Sequence, residues 1–146
     1  MCRRGRRAER TVVLEARAAS VLRFEDFIDR LDFLTPRERY CLKLAGSEIL
    51  DNLVKHASPI YRSRIYARAT RRGASILLGF FFRSPSFAAF AGDGGPWSAV
   101  AKPLFDPAHR RWRGIGLVMC RNLARRVDFR PGERMDRIFL EFEREK

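Results

Sequence analysis

The chain has 146 residues, with 30 Lys+Arg against 17 Asp+Glu and a net charge of +13. Hydrophobic residues make up 46% and charged residues 32%, which argues for one folded domain and against global disorder; a chain of this length can bury a core without disulfides or a structural metal. The apolar run at 76–82 is far shorter than a bilayer span, and no apolar segment follows the basic residues near Met1, so neither a transmembrane helix nor a secretory signal is expected.

Residues 1–10 read as a solvated basic arm and residues 11–146 as a single domain. A short strand is expected at 11–16, where Val12, Val13 and Leu14 are β-prone. An amphipathic helix follows: Phe24, Phe27, Ile28, Leu31 and Leu34 recur at three- and four-residue spacing, with acids between them. Thr35-Pro36-Arg37-Glu38 then combines a capping Thr, a proline at the first helical position and a Glu three residues after the Thr. That helix should run to about Ala57, where Ser58-Pro59 stops it. Leu42, Ile49, Leu50, Leu53 and Ala57 fall on one arc of it, with Glu48, Asn52 and His56 as a ridge along the edge.

Beyond this helix the pattern changes to period two. Residues 62–70, 74–83 and 86–91 read as three successive strands, the middle one apolar enough for burial on both faces. The stretch 92–113 is long and irregular, which suggests a lid or binding loop. Gly114-Ile115-Gly116 opens a helix containing Leu117 and Cys120, and a last strand alternates Ile138, Leu140 and Phe142 with Glu141 and Glu143. Strands joined by tight turns are antiparallel, and the helices then collect on one face. The expected class is α+β, a two-layer α/β sandwich with a mixed, mostly antiparallel sheet. Cys2, Cys41 and Cys120 form no CxxC pair and fit a reducing cytoplasm with at least two buried thiols.

Four features carry chemistry. Glu48 and Asn52, one helical turn apart, place a base beside an amide oxygen suited to a hard cation such as Mg²⁺. Asp93-Gly94-Gly95 offers an acceptor carboxylate at a turn where a flat ring can approach the backbone. The long loop carries Lys102 and an arginine cluster at 110, 111 and 113. Gly114 and Gly116 open a helix whose free N–H groups and dipole favour phosphate. Each alone has a plain structural explanation: a polar edge of a core helix, a turn, a solvated surface, a cap. Their joint occurrence in this order is the informative observation.

In that order the features resemble the GHKL ATPase superfamily, the Bergerat fold, and within it the stand-alone anti-sigma-factor serine kinases. Glu48, Asn52 and Lys55-His56-Ala57 resemble the N box, Asp93-Gly94-Gly95 the G1 box, and Gly114-Ile115-Gly116-Leu117 the G2 box. The G1 box normally ends in glycine where this chain has Trp97, and Met135-Asp136-Arg137 lacks the hydroxyl residue often found on the last strand. The resemblance spans residues 11–143 and implies ATP and Mg²⁺ as cofactors. It implies Asn52 as metal ligand, Glu48 as general base, and Asp93 and Gly95 at adenine. Lys102, Arg113, Gly114, Gly116 and Leu117 would lie around the phosphates. The partners it implies are proteins, a sigma factor and/or a small antagonist that is phosphorylated, with homodimerisation left open.

Two further readings stand beside the kinase. One is an ATP-binding switch of the same fold, catalytically weak or inactive. The other is a nucleic-acid binder, suggested by the charge; it ranks last because the arginines look scattered through every element, so neither a membrane nor a specific nucleic acid is expected as partner.

Overall fold

The computed structural model describes residues 7–91, 104–108, 110–113 and 115–146. Strand β1 (Ala8–Glu15) is followed by helices α1 (Ser20–Asp29) and α2 (Pro36–His56), a 3-10 turn at Tyr61–Ser63, strands β2 (Arg64–Arg72) and β3 (Ser75–Phe82), and the short helix α3 (Phe87–Ala91). Strands β4 (Leu104–Asp106) and β5 (Arg111–Arg113), helix α4 (Ile115–Leu123) and strands β6 (Arg126–Arg130) and β7 (Asp136–Glu143) complete the order. Five strands form one sheet in the order β1-β2-β3-β7-β6, and β4 pairs with β5 separately.

The α+β class is as expected, with one difference: every described strand pair is antiparallel, so the sheet is not mixed among the described residues. Three other expectations are corrected. Pairing begins at Ala8, opposite Arg71, so residues 8–10 belong to the sheet and not to a basic arm; Glu9 accepts hydrogen bonds from Arg7 at 2.6 Å and from Thr70 at 3.1 Å, which stitches the strand's start in place. Residues 86–91 do not form a strand. Phe87–Ala91 is helical, as its alanines favour, and the Phe87 ring packs edge-on against Phe82 at 4.9 Å.

Helix α2 starts as its sequence dictates. The Glu38 N–H donates to Thr35 Oγ1 at 3.2 Å, and the Thr35 N–H donates to Glu38 Oε2 at 2.9 Å. Its predicted apolar arc is fully buried: Leu42, Ile49, Leu50, Leu53 and Ala57 all have 0% exposure. Alternation along the sheet sends Ile65, Ala67, Ile76, Leu78, Phe80, Ile138 and Leu140 into the same core, together with Phe24 and Ile28 of α1 and Leu117 and Cys120 of α4. The opposite face of the sheet carries Val13, Tyr66, Leu77, Phe81 and Phe139, none of them fully buried. Among the described residues, helices therefore cover one face only. The middle strand is not buried on both sides, because Leu77 and Phe81 reach the uncovered face. No helix among the described residues is long and apolar enough to cross a membrane.

Candidate functional site

Helix α2 carries Glu48 and Asn52 on the ridge beside its buried arc, and both are half-buried. Helix α4 packs against α2. The two helices meet at Gly116: a Cβ on this residue would overlap Oε1 and Cδ of Glu48. The carboxylate therefore lies over the first turn of α4, at a position that carries no side chain. The first turn of a helix has N–H groups with no intrahelical acceptor and the positive end of the helix dipole, a favourable place for negative charge.

Deeper in the same contact, Leu117 and Cys120 are buried, and the Cys120 thiol donates to the Ala45 carbonyl at 3.4 Å. Burial, reinforced by the charge of Glu48, pushes that thiol up to about 12. Cys120 is thus a packed core thiol, as expected, whereas Cys41 is only half-buried and Cys2 lies outside the described residues. On the outer side of the helix pair, Glu25, Ser47, Glu48, Asp51 and Met119 line an open cleft of about 450 Å³. The Ser47 hydroxyl donates to Glu25 at 3.2 Å and Lys55 pairs with Asp51 at 2.7 Å, so two of the cleft's three carboxylates already have partners. Among the described residues, no three acidic, histidine or cysteine side chains converge as a metal site.

Of the predicted site residues, Glu48 and Gly116 meet at the α2–α4 contact and Leu117 is buried in the core, while Asn52 lies one turn beyond Glu48 on α2, half-buried. His56 ends the ridge and is exposed. Arg113 is placed at the end of β5, opposite Leu104. Asp93, Gly95, Lys102 and Gly114, together with Trp97, lie outside the described residues.

One polar cluster was not anticipated. Asp136, at the start of β7, is buried, accepts the Ser84 N–H at 2.8 Å and accepts the Gly132 N–H at 3.2 Å. The Ser84 hydroxyl in turn donates to the carbonyl of Ala57, at the end of α2. This chain of bonds ties the C-terminal end of α2, the helix that carries Glu48 and Asn52, to the ends of β3 and β7. A lone Asp at a strand start gives no such signal in sequence, because its partners are 52 and 4 residues away. No known protein family matches the chain, and no curated protein matches it either.

Proposed function

We propose that the chain is an ATP- and Mg²⁺-binding regulatory protein of Bergerat type, acting as a serine/threonine protein kinase on a small protein partner, in the manner of the anti-sigma-factor kinases it resembles. The observation that carries this reading is the Glu48–Gly116 contact. Two stretches 68 residues apart, each singled out for phosphate or metal chemistry, meet with no side chain between them.

The groups present suit the cofactors. The Asn52 amide oxygen is a hard donor. Mg²⁺ keeps several waters and takes further oxygens from phosphates, so it needs no cluster of three protein carboxylates. Phosphoryl donation is the chemistry ATP supplies when bound. Glu48 accepts the proton of an attacking hydroxyl. The first turn of α4 presents backbone N–H groups to negative charge, and Gly116 keeps that turn bare. Rotation of the Glu48 side chain away from Gly116 opens the turn to phosphate.

The reading is tested by calorimetric titration of ATP with and without Mg²⁺, in the wild type, Asn52→Ala and Glu48→Gln. Metal-dependent binding should weaken at least about tenfold in Asn52→Ala, the loss of one charge-assisted ligand. Glu48→Gln should keep binding and lose about 10²–10⁴-fold in ATP turnover, as removal of a general base does. Absence of nucleotide binding to the wild type sinks the proposal. The switch reading is favoured by the placement of the Glu48 carboxylate over α4, where it holds the helix start closed; undiminished turnover in Glu48→Gln, or none in the wild type, would select it.

A further inference from the structure

The uncovered face of the sheet gathers arginines that are dispersed in the chain. Pairing sets Glu15 opposite Arg64, Val13 opposite Tyr66, Tyr66 opposite Phe81, and Phe81 opposite Arg137. At the far end of this face the acids Glu9, Glu141 and Glu143 collect, opposite Thr70, Leu77 and Ser75. Arginines balance the acids there, with Arg72 opposite Ser75 and Arg126 opposite Glu141, whereas at the other end arginines predominate. The basic end continues into an open cavity of about 450 Å³. Arg62, Arg64, Arg83 and Arg134 line it with Tyr61 and Tyr66, and no carboxylate is among its lining residues.

The cavity is built, not merely exposed. Arg62 and Ser63 hold φ of 52° and 51°, a region that residues with a Cβ rarely adopt, and this turn presents Tyr61 outward at 62% exposure. The Arg62 guanidinium stands 5.3 Å from the Tyr61 ring centre. Arg83 donates to the Gly132 carbonyl at 2.8 Å, fixing the β6–β7 turn, and with it Arg134, against the end of β3. Further along the face, Arg68 stands over Phe81 at 4.9 Å and Arg130 over Phe139 at 5.1 Å.

We infer that this end of the sheet binds single-stranded nucleic acid, with bases stacking on Tyr61 and Tyr66 and the backbone phosphates held by the four arginines. The chemistry is that of sequence-tolerant strand binders: aromatic platforms for any base, and cations spaced along the path of the phosphates. An acidic peptide would use the cations but leave the tyrosine rings idle. The face is opposite the α2–α4 contact, so this inference does not depend on the kinase reading.

Fluorescence anisotropy of a labelled twelve-residue oligo-dT with the full chain tests it. At +13 the whole surface attracts polyanions, so the comparison must hold charge constant. Arg64→Glu with Arg134→Glu should weaken binding more than tenfold at 150 mM salt; Arg23→Glu with Arg37→Glu, an equal charge change on the helix side, should weaken it less than threefold. Tyr61→Ala, at an exposed position that folding does not depend on, should weaken it at least about fivefold, the lower range for one stacked base. Equal losses in the two charge-reversed pairs, or an unchanged Tyr61→Ala, overturn the inference. So does displacement of the oligonucleotide by a free mononucleotide or by polyglutamate at equal concentration of charge, which would assign the cavity to a single nucleotide or to an acidic protein.

Discussion

Two glycines show how the same substitution has opposite consequences in two surroundings. A Cβ on Gly46 would overlap the Phe24 ring, which is fully buried, and crowd Leu78 on the sheet. Neither neighbour has anywhere to go, so Gly46→Ala should destabilise by about 1–3 kcal/mol, as overpacking does. The nearest atoms that a Cβ on Gly116 would meet are Oε1, Cδ and Cγ of Glu48, a flexible, half-buried side chain that can swing outward. Alanine is also the better helix former, so Gly116→Ala should leave stability within about 1 kcal/mol of wild type while expelling the carboxylate from α4. Urea unfolding distinguishes the two, and a changed ATP titration with unchanged stability is the result expected for Gly116→Ala. Cys120 adds a pH dependence. Its folded-state value of about 12 lies above the ordinary 9.0. Above pH 9 the unfolded chain therefore binds fewer protons than the folded one, and stability present below pH 9 is lost as pH rises toward 12. Between pH 8 and pH 10 the thiol should remove about 1.4 kcal/mol from the unfolding free energy. Cys120→Ala should lack that component; an identical decline in both proteins would refute the assignment.

At the level of elements, the two ends of α2 are held by different devices. At the N-terminal end, Glu38 is buried, closes the capping box and also accepts the Glu145 N–H at 2.9 Å, while the Thr35 hydroxyl donates to Glu145 at 2.6 Å. The last residues of the chain are thus fastened to the helix start. Thr35→Ala should cost about 1 kcal/mol. Glu38→Ala should cost more, because it frees the Thr35 and Glu145 N–H groups together, and the two substitutions should be markedly non-additive in a double-mutant cycle. At the C-terminal end the Asp136–Ser84–Ala57 chain does the same work, and Asp136→Ala, which strands the buried Ser84 N–H, should cost about 1–3 kcal/mol by urea unfolding. The first device is legible in sequence and the second is not. A capping box is four consecutive residues whose chemistry is local, and Thr35 to Glu38 folds as it reads. Asp136 acts across strands, and nothing near it in the chain names its partners. The same distinction explains the misread segment at 86–91. Phe87 and Phe90 among alanines look like apolar strand material; the deciding facts are helix propensity and a docking ring on β3, and the second is non-local. Residues 8–10 look like part of a basic arm because the arginines around Glu9 hide the strand that pairs them.

For the molecule as a whole, the sheet divides two proposed sites that the linear sequence mixes. The helix side brings Glu48 and Gly116 together, a meeting that the resemblance implied and that helix starts alone do not predict. The opposite side sorts arginines by strand register, which is set by pairing between distant segments. Counting arginines along the chain could not reveal it, and they look dispersed. This division allows one measurement to interrogate both sides. A ligand that binds the folded state alone at a hundred times its dissociation constant adds about 2.7 kcal/mol of stability. For a domain of this size, each kcal/mol raises the melting temperature by about 2–4 °C. Saturating MgATP should therefore raise the transition by about 5–10 °C if nucleotide sits between α2 and α4. The rise should vanish in Asn52→Ala. It should persist in Arg64→Glu with Arg134→Glu, because those residues face the other way. The reverse pattern, a shift kept by Asn52→Ala and lost in the arginine variant, would mean that ATP enters the tyrosine–arginine cavity, and the proposed phosphoryl-transfer site would have to be abandoned.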